Sequence, residues 1–269
     1  MSNQCVYCGA RGSLTREHII PRSILERVPQ DSMRYIESAE KVILNDPVIK
    51  DVCKACNEGV LSELDAYGSQ LFDRHFCNPP APKTTITFTY EFNRLARWLL
   101  KISFNSARAS KHSDADVLRL YVPDVLNGTT PDISVCLELI EPSVNEAETD
   151  SGIVVVQTVN PTTLRISHVQ LKDGFVPSLH IVRLIAIQAY WFALVIPTAH
   201  NHPETERRSE LGVIISKWPG ISVLPRDADS ISLTTLGNDI VEMSKDNILT
   251  KIGLYQDAMR RMDAKRKDA

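Results

Sequence analysis

The chain has 269 residues and a formal net charge of -3, with 43% hydrophobic and 23% charged residues. That composition excludes a wholly disordered chain, and the length suits one large domain or two modest ones, of which two are expected here. Slight net acidity also means that the whole-protein field does not draw in a polyanion, so any such attraction must come from local patches.

The chain opens on CVYCG at Cys5, which leaves no room for the charged and apolar regions of a signal peptide, and a cytoplasmic location is expected. After Gly9 and Gly12, the segment LTREHIIP reads as a short strand stopped by Pro21. KVILN and PVIKDV, rich in Val and Ile and punctuated by Asn45-Asp46-Pro47, read as further strands. In CKACNEGVLSELDAYGSQLF, Val60, Leu61, Leu64 and Leu71 recur at helical spacing, so a helix begins inside the second cysteine pair with Asn57 in its first turn. The proline-rich CNPPAPKTT marks a linker at 79–86, between a unit at 1–78 and a larger domain at 87–269.

That second domain starts with a helix over YEFNRLARWLLKISFNSARAS, with Phe92, Leu95, Ala96, Leu99 and Ile102 on one side and a basic stripe of Arg94, Arg97, Lys101 and Arg108 on another. ISVCLELIE, GIVVVQTV, TLRISHVQL and the run ending FALVIP read as strands, HIVRLIAIQA as a helix, and 142–151 and 198–210 as surface loops. The apolar run IVRLIAIQAYWFALVIP contains Arg183 and Gln188 and ends at Pro197, which makes it a buried segment rather than a bilayer span. A closing helix, roughly DNILTKIGLYQDAMRRMDAKRK, ends in a basic cluster that includes Arg260, Arg261, Lys265, Arg266 and Lys267. The fold class expected is α+β.

Six cysteines are present, and four fall into two CxxC pairs, Cys5/Cys8 and Cys53/Cys56. Two such pairs supply the four thiolates of a tetrahedral structural zinc, a closed site that leaves no position for substrate or activated water. The alternatives are buried cysteines or a redox pair, but neither pair follows a strand in a βαβ unit as a thioredoxin-type motif does. Cys77 and Cys136 are left over.

Between and after the pairs lie Glu17-His18 in REHIIP and Asn57 in CKACN. Over about residues 3–72 this order of motifs resembles the HNH endonuclease family, the ββα-metal or His-Me nucleases. The likeness is strongest to members whose second knuckle reads CxxCNxGxxSxLE, matched here by Gly59, Ser62 and Leu64, with Asp65 where the pattern has Glu. The resemblance implies a zinc-stabilised ββα unit that hydrolyses phosphodiester bonds in DNA, with service in phage defence or restriction by association only. It gives His18 the role of general base, and Glu17 and Asn57 the role of ligands to a catalytic Mg²⁺ or Mn²⁺. The chemistry suits these residue types. Imidazole titrates near neutral pH and can deprotonate water, while a hard cation held by oxygen ligands neutralises the phosphate and the departing oxygen.

Each role has a plainer competitor: His18 as a satisfied structural residue, Glu17 as a surface carboxylate, Asn57 as a helix cap. Asp65 is a further candidate metal ligand or a solvated helix residue, and Glu63 a solvated one. The family's middle Asn, which braces the backbone carrying the His, has no clear match, because Asn45 lies too early and Val48 occupies the usual position. Arg94, Arg97, Lys101 and Arg108 are candidate phosphate contacts or simply a solvated face. His200 and His202 in HNHP read as loop residues without a knuckle. The alternative function is a non-catalytic zinc-ribbon module that binds nucleic acid or protein. The second domain would choose the target, a protein partner or a second copy of the chain.

Overall fold

A computed structural model describes residues 3–28, 34–36, 41–43, 48–141, 143–149, 152–159, 164–169, 171 and 174–235. Strand β1 (Leu14–His18) ends before Pro21, which has no amide hydrogen to continue a ladder and instead precedes a short helix, α1 (Arg22–Leu25). Strands β2 (Arg34–Ile36) and β3 (Lys41–Ile43) pair antiparallel, and β4 (Val48–Cys53) returns antiparallel to β1. Helix α2 (Lys54–Cys56) begins inside the second cysteine pair and passes through a wide turn, Asn57–Leu61, into α3 (Ser62–Leu71) and a second wide turn, Phe72–Phe76. Gly59, at φ -95° and ψ -118°, lies outside the helical region, so the two helices meet at a kink.

Strand β5 (Thr85–Thr89) begins within the proline-rich segment and leads to the long helix α4 (Phe92–Ala109), followed by α5 (Asp114–Arg119) and α6 (Val122–Asn127). The remaining elements are β6 (Ser134–Leu139), β7 (Ser143–Thr149), β8 (Gly152–Val159), β9 (Leu164–His168), β10 (His180–Ile187), β11 (Tyr190–Pro197), α7 (Glu204–Ser216), β12 (Ser222–Val223) and β13 (Ser230–Thr234). An antiparallel sheet runs in the order β12-β6-β11-β10-β9, while β7 pairs with β8 and β13 with β5. Helix and sheet are thus mixed in the α+β manner. Among the described residues no helix is long and apolar enough to cross a membrane.

The five-stranded sheet is covered on both faces. Leu137, Ile185, Phe192 and Leu194 join Leu95, Leu99 and Ile102 of α4 in one cluster, and Cys136, Leu184, Trp191 and Ala193 join Ile214 and Trp218 in another. The first cluster runs without a break from Cys5 to Leu233, so the elements on either side of 79–86 share one core.

Three expectations need correction. The segment His180–Ala189 is not a helix but strand β10 and the turn into β11, where Gln188 adopts φ 52°. Burial on both faces erases the two-residue alternation by which a strand announces itself. The expected loop at 142–151 contains β7, and the one at 198–210 runs into α7. Helix α7 buries Ile214 alone, so it has no apolar stripe to be recognised by. The closing helix and the basic cluster from Arg260 to Lys267 lie outside the described residues.

Two features of this core are open to measurement. A Cβ on Gly68 would lie 2.3 Å from Trp98 Cε2 and Cζ2, inside the packing between α3 and α4. Gly68→Ala is expected to destabilise the protein by about 1–3 kcal/mol, the usual cost of overpacking, seen as a lower urea midpoint.

Glu138 is buried beneath Trp218, whose Nε1 donates to its carboxylate at 2.7 Å. Burial pushes its carboxyl up from 4.5 to about 7, against a smaller downward pull from Trp218. The folded state therefore retains a proton that the unfolded state has already released, and stability falls as pH rises from 4.5 to about 7, then levels. Glu138→Gln should remove a fall on the order of 3 kcal/mol between urea midpoints measured at pH 4.5 and pH 7.5. An unchanged slope would rule out this assignment.

Candidate functional site

The first knuckle is shaped by backbone hydrogen bonds. Cys5 N donates to Ala10 O at 2.8 Å and Gly9 N to Cys5 O at 2.9 Å, with Gly9 at φ 73°, a left-handed conformation that only glycine adopts without steric cost. Val6 N donates to Asp51 O at 3.0 Å, which docks this knuckle on β4 and brings it to the second pair. The Sγ atoms of Cys5, Cys8, Cys53 and Cys56 all lie within 4.8 Å of one another, and Cys8 and Cys53 approach to 3.6 Å. Four thiolates about 2.3 Å from one ion stand ~3.8 Å apart, so the cluster fits a structural zinc. Burial first, then the neighbouring thiols, push Cys56 well above the ordinary thiol range. For Cys5 burial acts upward too, but backbone hydrogen bonds from Cys53, Cys8 and Tyr7 outweigh it and bring the thiol to about 7. Four thiols this close become thiolates together only when a cation offsets their repulsion.

Beside the cluster, β1 and β4 pair with Leu14 opposite Cys53 and His18 opposite Val48, and the register slips between Thr15 and Glu17. Such an irregularity bends a strand and re-aims its side chains. Asn57, one residue past the second pair, holds this bent strand. Its Nδ2 donates to Thr15 Oγ1 at 2.8 Å and to Arg16 O at 2.9 Å, while Thr15 Oγ1 donates to Val52 O at 2.9 Å. Asn57 therefore ties the start of the helix to the two residues just before Glu17 and His18. Asn45 lies outside the described residues, and Val48 pairs with His18 in the ladder. No side chain caps α2, whose cap position is Cys53.

His18 stands at the end of β1, half-buried, and its Nδ1 is enclosed with no hydrogen-bond partner among the described residues. Glu17 turns the other way and is only 3% exposed. Its Oε1 meets Lys101 Nζ at 2.5 Å and accepts from Asn105 Nδ2 at 3.4 Å. Lys101 Nζ also lies 2.7 Å from each carboxylate oxygen of Asp65. Burial raises the carboxyl groups of both Glu17 and Asp65, and the Lys101 ammonium pulls each back down.

The basic stripe of α4 is accordingly not a solvent-facing row. Lys101 is 0% exposed. Arg108 pairs with Asp51 and donates from Nη2 to Asn105 Oδ1 at 2.6 Å, and its guanidinium lies 4.5 Å from the centre of the Phe104 ring. Tyr7 reaches the same Asn105 oxygen at 2.8 Å. Arg97 donates to Val125 O at 2.8 Å, and Arg94 lies over the Tyr67 ring at 4.6 Å with Glu91 at 3.1 Å. The stripe binds the protein to itself, with Lys101 and Arg108 supplying countercharge to Glu17, Asp65 and Asp51 of the first unit. Nothing in helical spacing reveals this, since the acids that meet Lys101 and Arg108 lie between 36 and 84 residues away in sequence.

The structure gathers one further group. His112, Asp114 and His168 place their ligand atoms within 4.8 Å, and Asp114 Oδ2 also receives Arg183 Nη1 at 3.1 Å. These residues are dispersed in sequence and carry no motif. His200 packs on the edge of Tyr121, and His202 Nε2 lies 3.1 Å from Thr198 Oγ1.

Searches against family models, curated proteins and solved structures found no match to the chain.

The zinc reading has a direct test. Cys53→Ser, or chelation of the purified chain, should remove one equivalent of bound metal and unfold the Cys5–Leu71 unit, because metal binding at such a site is coupled to folding. Proteolysis inside 5–71 together with zinc loss is the expected result; a variant that keeps its zinc and its resistance would exclude a four-cysteine metal site.

Proposed function

We propose that the N-terminal unit is an HNH-type nuclease centre that hydrolyses phosphodiester bonds in DNA, with His18 as the base that deprotonates water. The observation that carries this reading is the Asn57 brace. The amide of the helix after the second knuckle grips the strand residues immediately before Glu17-His18, over a cluster of four cysteines. This is strand, strand and helix in the order that the HNH resemblance implies, with the base on the first strand. A positioned imidazole contributes about 10² to 10⁴ in rate by general base catalysis.

The resemblance also implies a divalent ion on Glu17 and Asn57, and the residues do not fit it as arranged. Glu17 is buried and held by Lys101, so the Asn57 carbonyl oxygen, aimed by the two hydrogen bonds from its Nδ2 to Thr15 and Arg16, has no carboxylate from Glu17 with which to share an ion. The same observation favours a second reading, a zinc-ribbon module that binds without cutting and in which Glu17 joins the unit to α4.

Cleavage of supercoiled plasmid DNA, with RNA in parallel, separates the two. The intact chain should nick or linearise the plasmid, and His18→Ala should slow this at least ~100-fold while zinc content and the circular dichroism spectrum stay unchanged. Equal cutting by the parent and His18→Ala, or none by either, would sink the nuclease reading in favour of the binding module.

A further inference from the structure

A single nitrogen sits between Glu17 and Asp65. Lys101 Nζ is 2.5 Å from Glu17 Oε1 and 2.7 Å from both Asp65 Oδ1 and Oδ2. An ammonium has three donors, and these three oxygens are enough to engage all of them. A hard divalent ion prefers the same surroundings, oxygen atoms of two carboxylates gathered about one positive centre.

The ammonium is not free to withdraw. Lys101 is 0% exposed and lies well inside the 18-residue α4, among the buried Trp98, Leu99, Leu100 and Ile102. One turn further on, Asn105 of the same helix also donates to Glu17. A second cation at this point would face a fixed positive charge at contact distance, and displacing the ammonium would leave it buried without a partner.

We infer that the resident cation of Glu17 and Asp65 is the ammonium of Lys101, which holds the place a divalent metal would otherwise take. Lys101 is thus a positioning residue: it sets the strand end that carries His18 against α3 and α4, and takes Glu17 and Asp65 out of the set of metal ligands. The inference holds for this group of side chains whether or not the unit cuts DNA.

Metal binding measured without substrate tests it, with Mn²⁺ as the probe and the zinc-loaded full chain as the protein. The parent and Glu17→Gln should give the same Mn²⁺ titration by paramagnetic resonance. Lys101→Met, which vacates the position, should gain a Mn²⁺ site at least tenfold tighter than any in the parent, and that site should vanish in the Lys101→Met/Glu17→Gln pair. A parent Mn²⁺ site weakened tenfold by Glu17→Gln would overturn the inference, as would a folded Lys101→Met that gains no site. Should the variants lose their fold, the parent alone decides: a slowly exchanging lysine ammonium ¹⁵N signal should persist unshifted in excess Mg²⁺, and its loss or displacement would overturn the proposal. Failure of DNA cleavage leaves each of these outcomes unchanged.

Discussion

A lysine with no exposed surface has to be answered by anions, and that requirement organises this molecule. Lys101 lies in the middle of α4, and the carboxylates that answer it come from β1 and α3. Three elements that are remote in sequence are therefore pinned at one point. Replacing either carboxylate by a neutral group would leave an incompletely compensated buried charge, a far larger penalty than the net gain from forming such a pair. Arg108 repeats the device further along the helix, joining α4 to Asp51 on β4. The helix that supports the sheet thus also carries the four-cysteine unit.

The cysteine cluster and the Asn57 brace act on a shorter scale. The cluster joins the chain before β1 to the end of β4, where a structural zinc would tie the two knuckles together. Asn57 then fixes the bent strand directly, through Thr15 and Arg16. His18 is consequently held from two sides, by ladder pairing with Val48 and by the brace just behind it. Its neighbour Glu17 is directed into the core instead, so adjacent residues of one motif serve different ends: one is left near the surface, the other becomes part of the buried charge network.

How much of this was legible in the sequence varies with the range of the interaction. The knuckles, the strand stopped by Pro21, the helix beginning at the second knuckle and the long helix over 92–109 rest on local spacing and periodicity, and the structure contains each. Strand β10 was obscured because both faces of the sheet are covered, which turns alternation into a continuous apolar run. Helix α7 was obscured for the opposite reason, having almost no apolar face.

For the site, the sequence by itself determined the four cysteines, the positions of Glu17, His18 and Asn57, and the order in which they occur, since CxxC and motif spacing are local chemistry. Tertiary structure alone decided where those side chains point. The irregular strand β1 carries Glu17 inward, and contacts spanning tens of residues made Lys101 and Arg108, open from the sequence to a phosphate-contacting or a solvated reading, into countercharges for Glu17, Asp65 and Asp51. Sequence spacing records which face of a helix a residue occupies, but not what comes to lie against that face. Here the acids of the first unit lie against it.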